Sequence, residues 1–230
     1  SVQAKAFGVS LLEGVTGSGK TEVYFEAVAE AIRLDRQSLI LMPEIALTAQ
    51  FIDRFEARFG VRPGLWHSAV TGRKRERLQA AIASGEAKVV AGARSALFLP
   101  YSDLGLIVVD EEHDTSYKQD SPAPRYNGRE TAIMMAKIFG ANVILGSATP
   151  SLESLYNCSV GRYGLVTLNK RFYDAADSDI EIIDTIAERR KNGMIGNFSR
   201  KLIEHIGKCL GEHRQVLILR ERRAYSPIVQ

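Results

Sequence analysis

The chain has 230 residues, 45% of them hydrophobic and 25% charged, enough apolar material for a packed core in one large domain or two smaller ones. No apolar run reaches membrane-spanning length. The two cysteines, Cys158 and Cys209, lie too far apart for a C-x-x-C zinc site or a disulfide framework, which suits reduced thiols in a cytoplasmic protein.

A formal net charge of +3 is compatible with nucleic-acid binding but too mild to argue for it. The first residues, Ser1 to Lys5, carry neither an initiator Met nor a signal-peptide apolar region, and read as an interior cut of a longer protein. Val9 to Leu12 is a short apolar run that reads as a strand. Gly14-Val15-Thr16-Gly17-Ser18-Gly19-Lys20-Thr21 follows and fits G-x-x-x-x-G-K-[ST] at every fixed position. Glycines there let backbone N–H groups form a nest for phosphates. Lys20 brings a cation to the β- and γ-phosphates, and the Thr21 hydroxyl suits Mg²⁺. Residues 22–34 then carry apolar side chains at helical spacing, so the loop opens a helix whose positive end adds to the same site. Strand, glycine loop and helix together predict a nucleoside-triphosphate site.

Further strands are expected at 38–42, 88–92, 106–109 and 142–145, with helices at 49–59, 72–83 and 129–138. The basic run Arg73 to Arg77 reads as a solvated helix face. Residues 113–128, polar and broken by Pro122 and Pro124, read as a long loop. This alternation predicts an α/β fold with a mostly parallel central sheet flanked by helices. Beyond Leu168 the chain turns polar, with a linker expected over 169–179, a brief strand at 180–183 and a second polar stretch at 188–197. A helix capped by Ser199 and ending at Gly211, and a strand at 215–219, complete the pattern.

A second chemical signal is the strand ending in Asp110-Glu111-Glu112-His113. Acids at the C-terminal end of a parallel strand reach the phosphate loop, where Asp110 would hold Mg²⁺ and Glu111 would orient and deprotonate water. Asp-Glu-x-His resembles the second nucleotide motif of superfamily 2 helicases, and Gly146-Ser147-Ala148-Thr149-Pro150 resembles their Ser-Ala-Thr motif. Thr16 to Tyr24, Pro43 to Thr48, Gly92 to Phe98 and Asp110 to Gln119 together resemble one family, the PriA helicases of bacterial replication restart.

That resemblance runs from about Leu11 to Leu168. It implies a RecA-like P-loop NTPase domain over residues 1–170, then a linker and the opening of a second motor domain over 171–230. It implies ATP and Mg²⁺ as cofactors, and 3′-to-5′ unwinding of forked and single-stranded DNA at stalled forks. It also implies single-strand-binding protein and other primosome proteins as partners. His113, Ser147 and Thr149 would couple hydrolysis to DNA. Pro43, Thr48, Arg94 and Ser95 correspond to DNA-touching motifs. Tyr117, Arg125 and Tyr126 fall in a segment that senses single-stranded DNA in related helicases, although so few aromatics serve a purely structural loop nearly as well.

The family's zinc-binding region, its N-terminal DNA-binding region and its second-domain arginines are absent from the chain. Zinc is therefore expected only in the full-length family member, and ATP turnover by the chain alone is expected to be poor. Ala224 stands where the family's Arg-Arg-Gly-Tyr has Gly. Rival readings are another superfamily 2 translocase, a P-loop kinase or GTPase, and a nucleotide-binding module without hydrolysis. Asn169-Lys170 is followed by Arg171-Phe172 rather than by the x-Asp that a GTPase requires.

Overall fold

The computed structural model describes residues 7–171 and 179–219, in two compact units, Ser1–Ala175 and Ala176–Gln230. In the first unit, strands β1 (Gly8–Gly14), β2 (Gln37–Leu41), β3 (Gly64–Trp66), β4 (Val89–Gly92) and β5 (Leu104–Asp110) are joined by helices α1 (Lys20–Arg33), α2 (Ala49–Phe59) and α3 (Gly72–Ala83). A two-stranded ribbon, β6 (Lys118–Gln119) and β7 (Tyr126–Asn127), precedes α4 (Gly128–Phe139), β8 (Asn142–Ser147), α5 (Leu152–Ser159) and β9 (Gly164–Leu168). The central sheet has seven strands in the order β3-β4-β2-β5-β8-β1-β9. Every pairing in it is parallel, so each strand delivers its C-terminal end to the same edge.

A parallel sheet is covered on both faces, and alternate residues of each strand divide between the two covers. Leu39, Leu41, Ile107, Val109, Val143 and Leu145 pack with Ile82 of α3 and with Ala132 and Ala136 of α4. Ile40, Leu106 and Val108 point the other way, onto Tyr24, Phe25 and Val28 of α1 and Phe51 and Phe55 of α2. Phe25 meets Phe55 edge-on at 5.5 Å between ring centres. At the opposite edge of the sheet, buried Arg36 donates to the carbonyls of Leu104, Phe139 and Gly140, tying the starts of the strands to the end of α4.

The long segment 113–128 is not wholly loop. Lys118 and Gln119 pair antiparallel with Asn127 and Tyr126, and the Gln119 amide closes the tip on the carbonyls of Pro122 and Pro124. Strands of two residues carry no readable period. The same holds for the short edge strand β3. Arg75 also departs from a purely solvated basic face: its guanidinium lies 5.2 Å over the Trp66 ring and donates to the His67 carbonyl.

The second unit holds α6 (Thr185–Arg190), a hairpin of β10 (Met194–Ile195) with β11 (Phe198–Ser199), and α7 (Arg200–Gly211). The Ser199 hydroxyl accepts from the Leu202 amide, the expected N-cap. Neither 180–183 nor 215–219 is a strand. Apolar β-branched composition favours extension, but without a neighbouring ladder among the described residues it makes no strand. The polar stretch 188–197 instead contributes to α6 and the hairpin. Most of the expected linker, 172–178, and the segment from Arg220 to Tyr225 lie outside the described residues.

Candidate nucleotide and nucleic-acid site

Strand order brings the motifs together. β8 lies between β1 and β5, with Gly146 in register with Leu12 on one side and with Asp110 on the other. The phosphate loop after β1, the acids ending β5 and the Ser-Ala-Thr segment after β8 therefore occupy neighbouring strand ends.

Within the loop, Gly17 and Gly19 adopt φ of 80° and 89°, the left-handed region that only glycine enters at no steric cost. A Cβ at Gly14 would stand 2.5 Å from Ser18 Oγ, so there it is space that excludes a side chain. Lys20 Nζ donates to the Gly14 carbonyl at 2.9 Å, folded over the loop it would share with a triphosphate. Ser18 Oγ is buried without a partner, and the N-cap of α1 is Gly19, which has no side chain to cap it and so leaves first-turn N–H groups for an acceptor. Val15 and Thr16 complete the loop on its exposed side. An orphaned hydroxyl, uncapped N–H groups and a lysine suit the oxygens of a polyphosphate.

Asp110 ends β5 and Glu111 follows it in the turn. Tyr24 of α1 donates its hydroxyl to Asp110 Oδ1 at 2.8 Å, and Tyr117 donates to the Asp110 carbonyl at 2.6 Å. Burial pushes the Asp110 carboxyl up, against the Tyr24 hydrogen bond and the Lys20 charge that favour ionisation. Glu111 is raised by burial and by the Asp110 charge. Its backbone, at φ of 48°, sits in the left-handed region, uncommon for a non-glycine residue and frequent at functional positions. Thr21 is half-buried in the first turn of α1. Among the described residues no three His, Cys, Asp or Glu side chains gather into a metal site. The Thr21 hydroxyl and the Asp110 carboxylate are oxygen donors of the kind that suit an ion held partly by phosphates and water, such as Mg²⁺.

His113 turns to the neighbouring strand end. Its Nδ1 lies 2.8 Å from Ser147 Oγ and its Nε2 lies 3.4 Å from Thr149 Oγ1, while Glu111 Oε2 stands 3.7 Å from Nδ1. Glu112 behaves differently from its neighbours and carries a role that the motif did not disclose. It is buried, and accepts from the Ser151 amide, the hydroxyls of Ser151 and Ser154, and Arg129 of α4. Burial alone would raise its pKa, but these donors together hold it below the ordinary range. The sequence signal for such a role was a third consecutive acid at a strand end.

The residues expected to meet DNA lie at the same sheet edge, one or two strands away. A cleft of about 310 Å³ opens between Pro43, Glu44, Arg94 and Ser116. Pro43 is buried, and Thr48 is exposed, capping α2 through the Phe51 amide. Arg94 donates from one terminal nitrogen to the carbonyls of Ser116 and Lys118, so it braces the segment after the acids as well as bordering the cleft. Ser95 and Arg125 are exposed. Tyr126 is half-buried, edge-on to the exposed Phe98 at 5.2 Å and 5.9 Å from the Arg94 guanidinium. Tyr117 departs from expectation. It is 2% exposed, held by its hydroxyl under β5, and offers no ring face to a base.

The DEAD/DEAH box helicase family pattern matches residues 3–158. The chain is 47% identical over 221 residues to the replication restart protein PriA of Rickettsia felis, and 39% identical over 222 residues to that of Bacillus subtilis. These alignments take in 96% of this chain but 34% and 27% of the relatives, so the chain spans about a third of the length of the curated relatives it matches. RecG bound to a three-way DNA junction superposes with a TM-score of 0.52 at 22% identity, over 73% of this chain and 21% of RecG. The DUF1998 helicase MrfA bound to DNA superposes with a TM-score of 0.53 at 16% identity, over 71% of this chain and 24% of MrfA. Likenesses at such low identity speak to the fold alone, a RecA-like parallel sheet flanked by helices.

Proposed function

The chain belongs to the DEAD/DEAH box helicases, and from that membership and its 39–47% identity to PriA proteins we propose that it is the nucleotide-binding motor segment of a PriA-type replication-restart helicase, an ATPase acting on DNA in the cytoplasm. Residues 1–170 form its first motor domain, and 171–230 a linker and the start of the second. The reading rests most on one observation: the phosphate loop and the acids of β5 flank β8, with Leu12, Gly146 and Asp110 in one register row.

In this reading the loop from Gly14 to Thr21 cradles the phosphates. Lys20 leaves the Gly14 carbonyl for the γ-phosphate, and Thr21 and Asp110 hold Mg²⁺. Bound Mg²⁺ neutralises charge on the phosphate oxygens. Glu111 orients the attacking water and takes its proton, a task that its raised pKa favours. His113, with Ser147 and Thr149, passes the state of that site to the DNA edge, where Pro43, Thr48, Arg94, Ser95, Arg125 and Tyr126 would meet the strand. The 3′-to-5′ polarity, preference for forks, single-strand-binding and primosome partners, and zinc in the full-length protein are supported by kinship with PriA alone.

The test is ATP turnover with and without forked DNA by the chain extended through the second motor domain, since turnover by this segment alone is expected to be poor, with Lys20→Ala as control. Turnover that DNA stimulates and Lys20→Ala abolishes supports the motor. Failure to bind ATP, or turnover indifferent to Lys20→Ala, overturns it.

A further inference from the structure

The Tyr24 hydroxyl sits where three segments of the site meet. Tyr24 lies four residues beyond Lys20 on α1, hence on the same helix face one turn on. It is 1% exposed, and its hydroxyl donates to Asp110 Oδ1 at 2.8 Å. Gly146, the residue before Ser147, makes the room. A Cβ there would fall 1.6 Å from the Tyr24 oxygen and 2.7 Å from Cζ, so no side chain at 146 coexists with this placement of the ring. Gly146 is also in register with Asp110 across the sheet, and its carbonyl accepts from the Glu112 amide at 3.0 Å. A buried tyrosine could satisfy its hydroxyl on any carbonyl nearby. This one is aimed at a carboxylate at the end of β5, through a gap that only glycine leaves.

We propose that Tyr24 is the positioning residue for the Mg²⁺-binding carboxylate. Its hydroxyl engages one oxygen of Asp110 and fixes the side-chain rotamer, which leaves the second oxygen for the ion or its water, and Gly146 is the seat that lets it do so. This inference rests on the nucleotide-site reading above. It follows the general behaviour of metal sites, where an outer partner orients a ligand and its loss weakens the ion far more than the fold. It also gives the glycine of Gly-Ser-Ala-Thr a task toward the nucleotide site, separate from the hydroxyls that follow it.

The experiment is binding of a fluorescent ATP analogue to this chain, in EDTA and across a Mg²⁺ titration, for the parent, Tyr24→Phe, Gly146→Ala, Asp110→Asn and the double variant Tyr24→Phe/Asp110→Asn. Urea unfolding of each is recorded alongside. For Tyr24→Phe the expected result is unchanged affinity in EDTA and a Mg²⁺ requirement raised about 10-fold or more. Gly146→Ala should shift in the same direction, because the added methyl displaces the ring. In the double variant Tyr24→Phe should add nothing to Asp110→Asn, since the hydroxyl acts through that carboxylate. A folded Tyr24→Phe with the parent's Mg²⁺ titration, or an additive shift in the double variant, overturns the proposal and leaves the nucleotide-site reading standing. A parent that binds no nucleotide, or ignores Mg²⁺, instead overturns that reading itself. Should Tyr24→Phe fail to fold, Gly146→Ala decides the matter by the same titration.

Discussion

Glu112 and Arg129 form an ion pair at 2.8 Å, with side chains 0% and 10% exposed. The pair joins the end of β5 to α4. Through Ser151 and Ser154, which also donate to Glu112, it joins both to the N-terminus of α5. An acid inside the Asp-Glu-Glu-His run is therefore a strut between elements, while its neighbours on either side face the site.

Removing one partner of such a pair leaves a buried charge uncompensated. Arg129→Met is expected to destabilise the first unit by about 3–5 kcal/mol. The urea midpoint, followed by circular dichroism, would register the loss. An unchanged midpoint would show that Glu112 is satisfied by the serines alone.

Asp110 carries the opposite sign. Its folded-state pKa is raised by burial, so the folded chain holds that proton more tightly than the unfolded chain does, and ionisation at neutral pH costs stability. Asp110→Asn keeps an acceptor for Tyr24 and removes the cost. The variant should unfold at higher urea than the parent near neutral pH. The gain should vanish as pH falls below the usual carboxylate range, where Asp110 is protonated in both states. Paired urea titrations at the two pH values check it.

Gly17 is constrained by backbone angle, not by space, for a Cβ there meets nothing within 4 Å. Ala at φ of 80° costs roughly 1–2 kcal/mol, whereas Asn tolerates the left-handed region better. Gly17→Asn should therefore keep more affinity for an ATP analogue than Gly17→Ala, a reversal of the order expected from side-chain size. Equilibrium binding of the two variants decides it.

Arg94 holds the carbonyls of Ser116 and Lys118 whether or not DNA is present. Arg94→Ala should speed hydrogen exchange across residues 115–119 in the DNA-free chain while α2 stays protected. Exchange unchanged without DNA would mean that the guanidinium serves only a bound strand.

Much of the chemistry was legible because it is local. The spacing of Gly14, Gly17, Gly19 and Lys20 implies a loop geometry without reference to the rest of the chain, and the apolar run before Asp110 could be read only as a buried strand. Helices over 49–59 and 72–83 match α2 and α3 residue for residue, and in α2 the apolar stripe of Phe51, Ile52, Phe55 and Phe59 carries the helical period. Where local signals were short or ambiguous the reading failed. The ribbon of β6 and β7 is too brief to show a period, and the apolar run at 215–219 has strand composition but no ladder.

The sequence by itself determined that a phosphate loop, two acids and a Ser-Ala-Thr turn lie at strand ends, because backbone angles and short-range spacing encode them. Only the tertiary structure decided that β8 stands between β1 and β5. It likewise decided that Tyr24 reaches Asp110 past Gly146, that Glu112 turns inward to Arg129, and that Tyr117 is buried away from any base. Those outcomes depend on strand order and on which residues compete for the same buried space, and neither is written in any single stretch of chain.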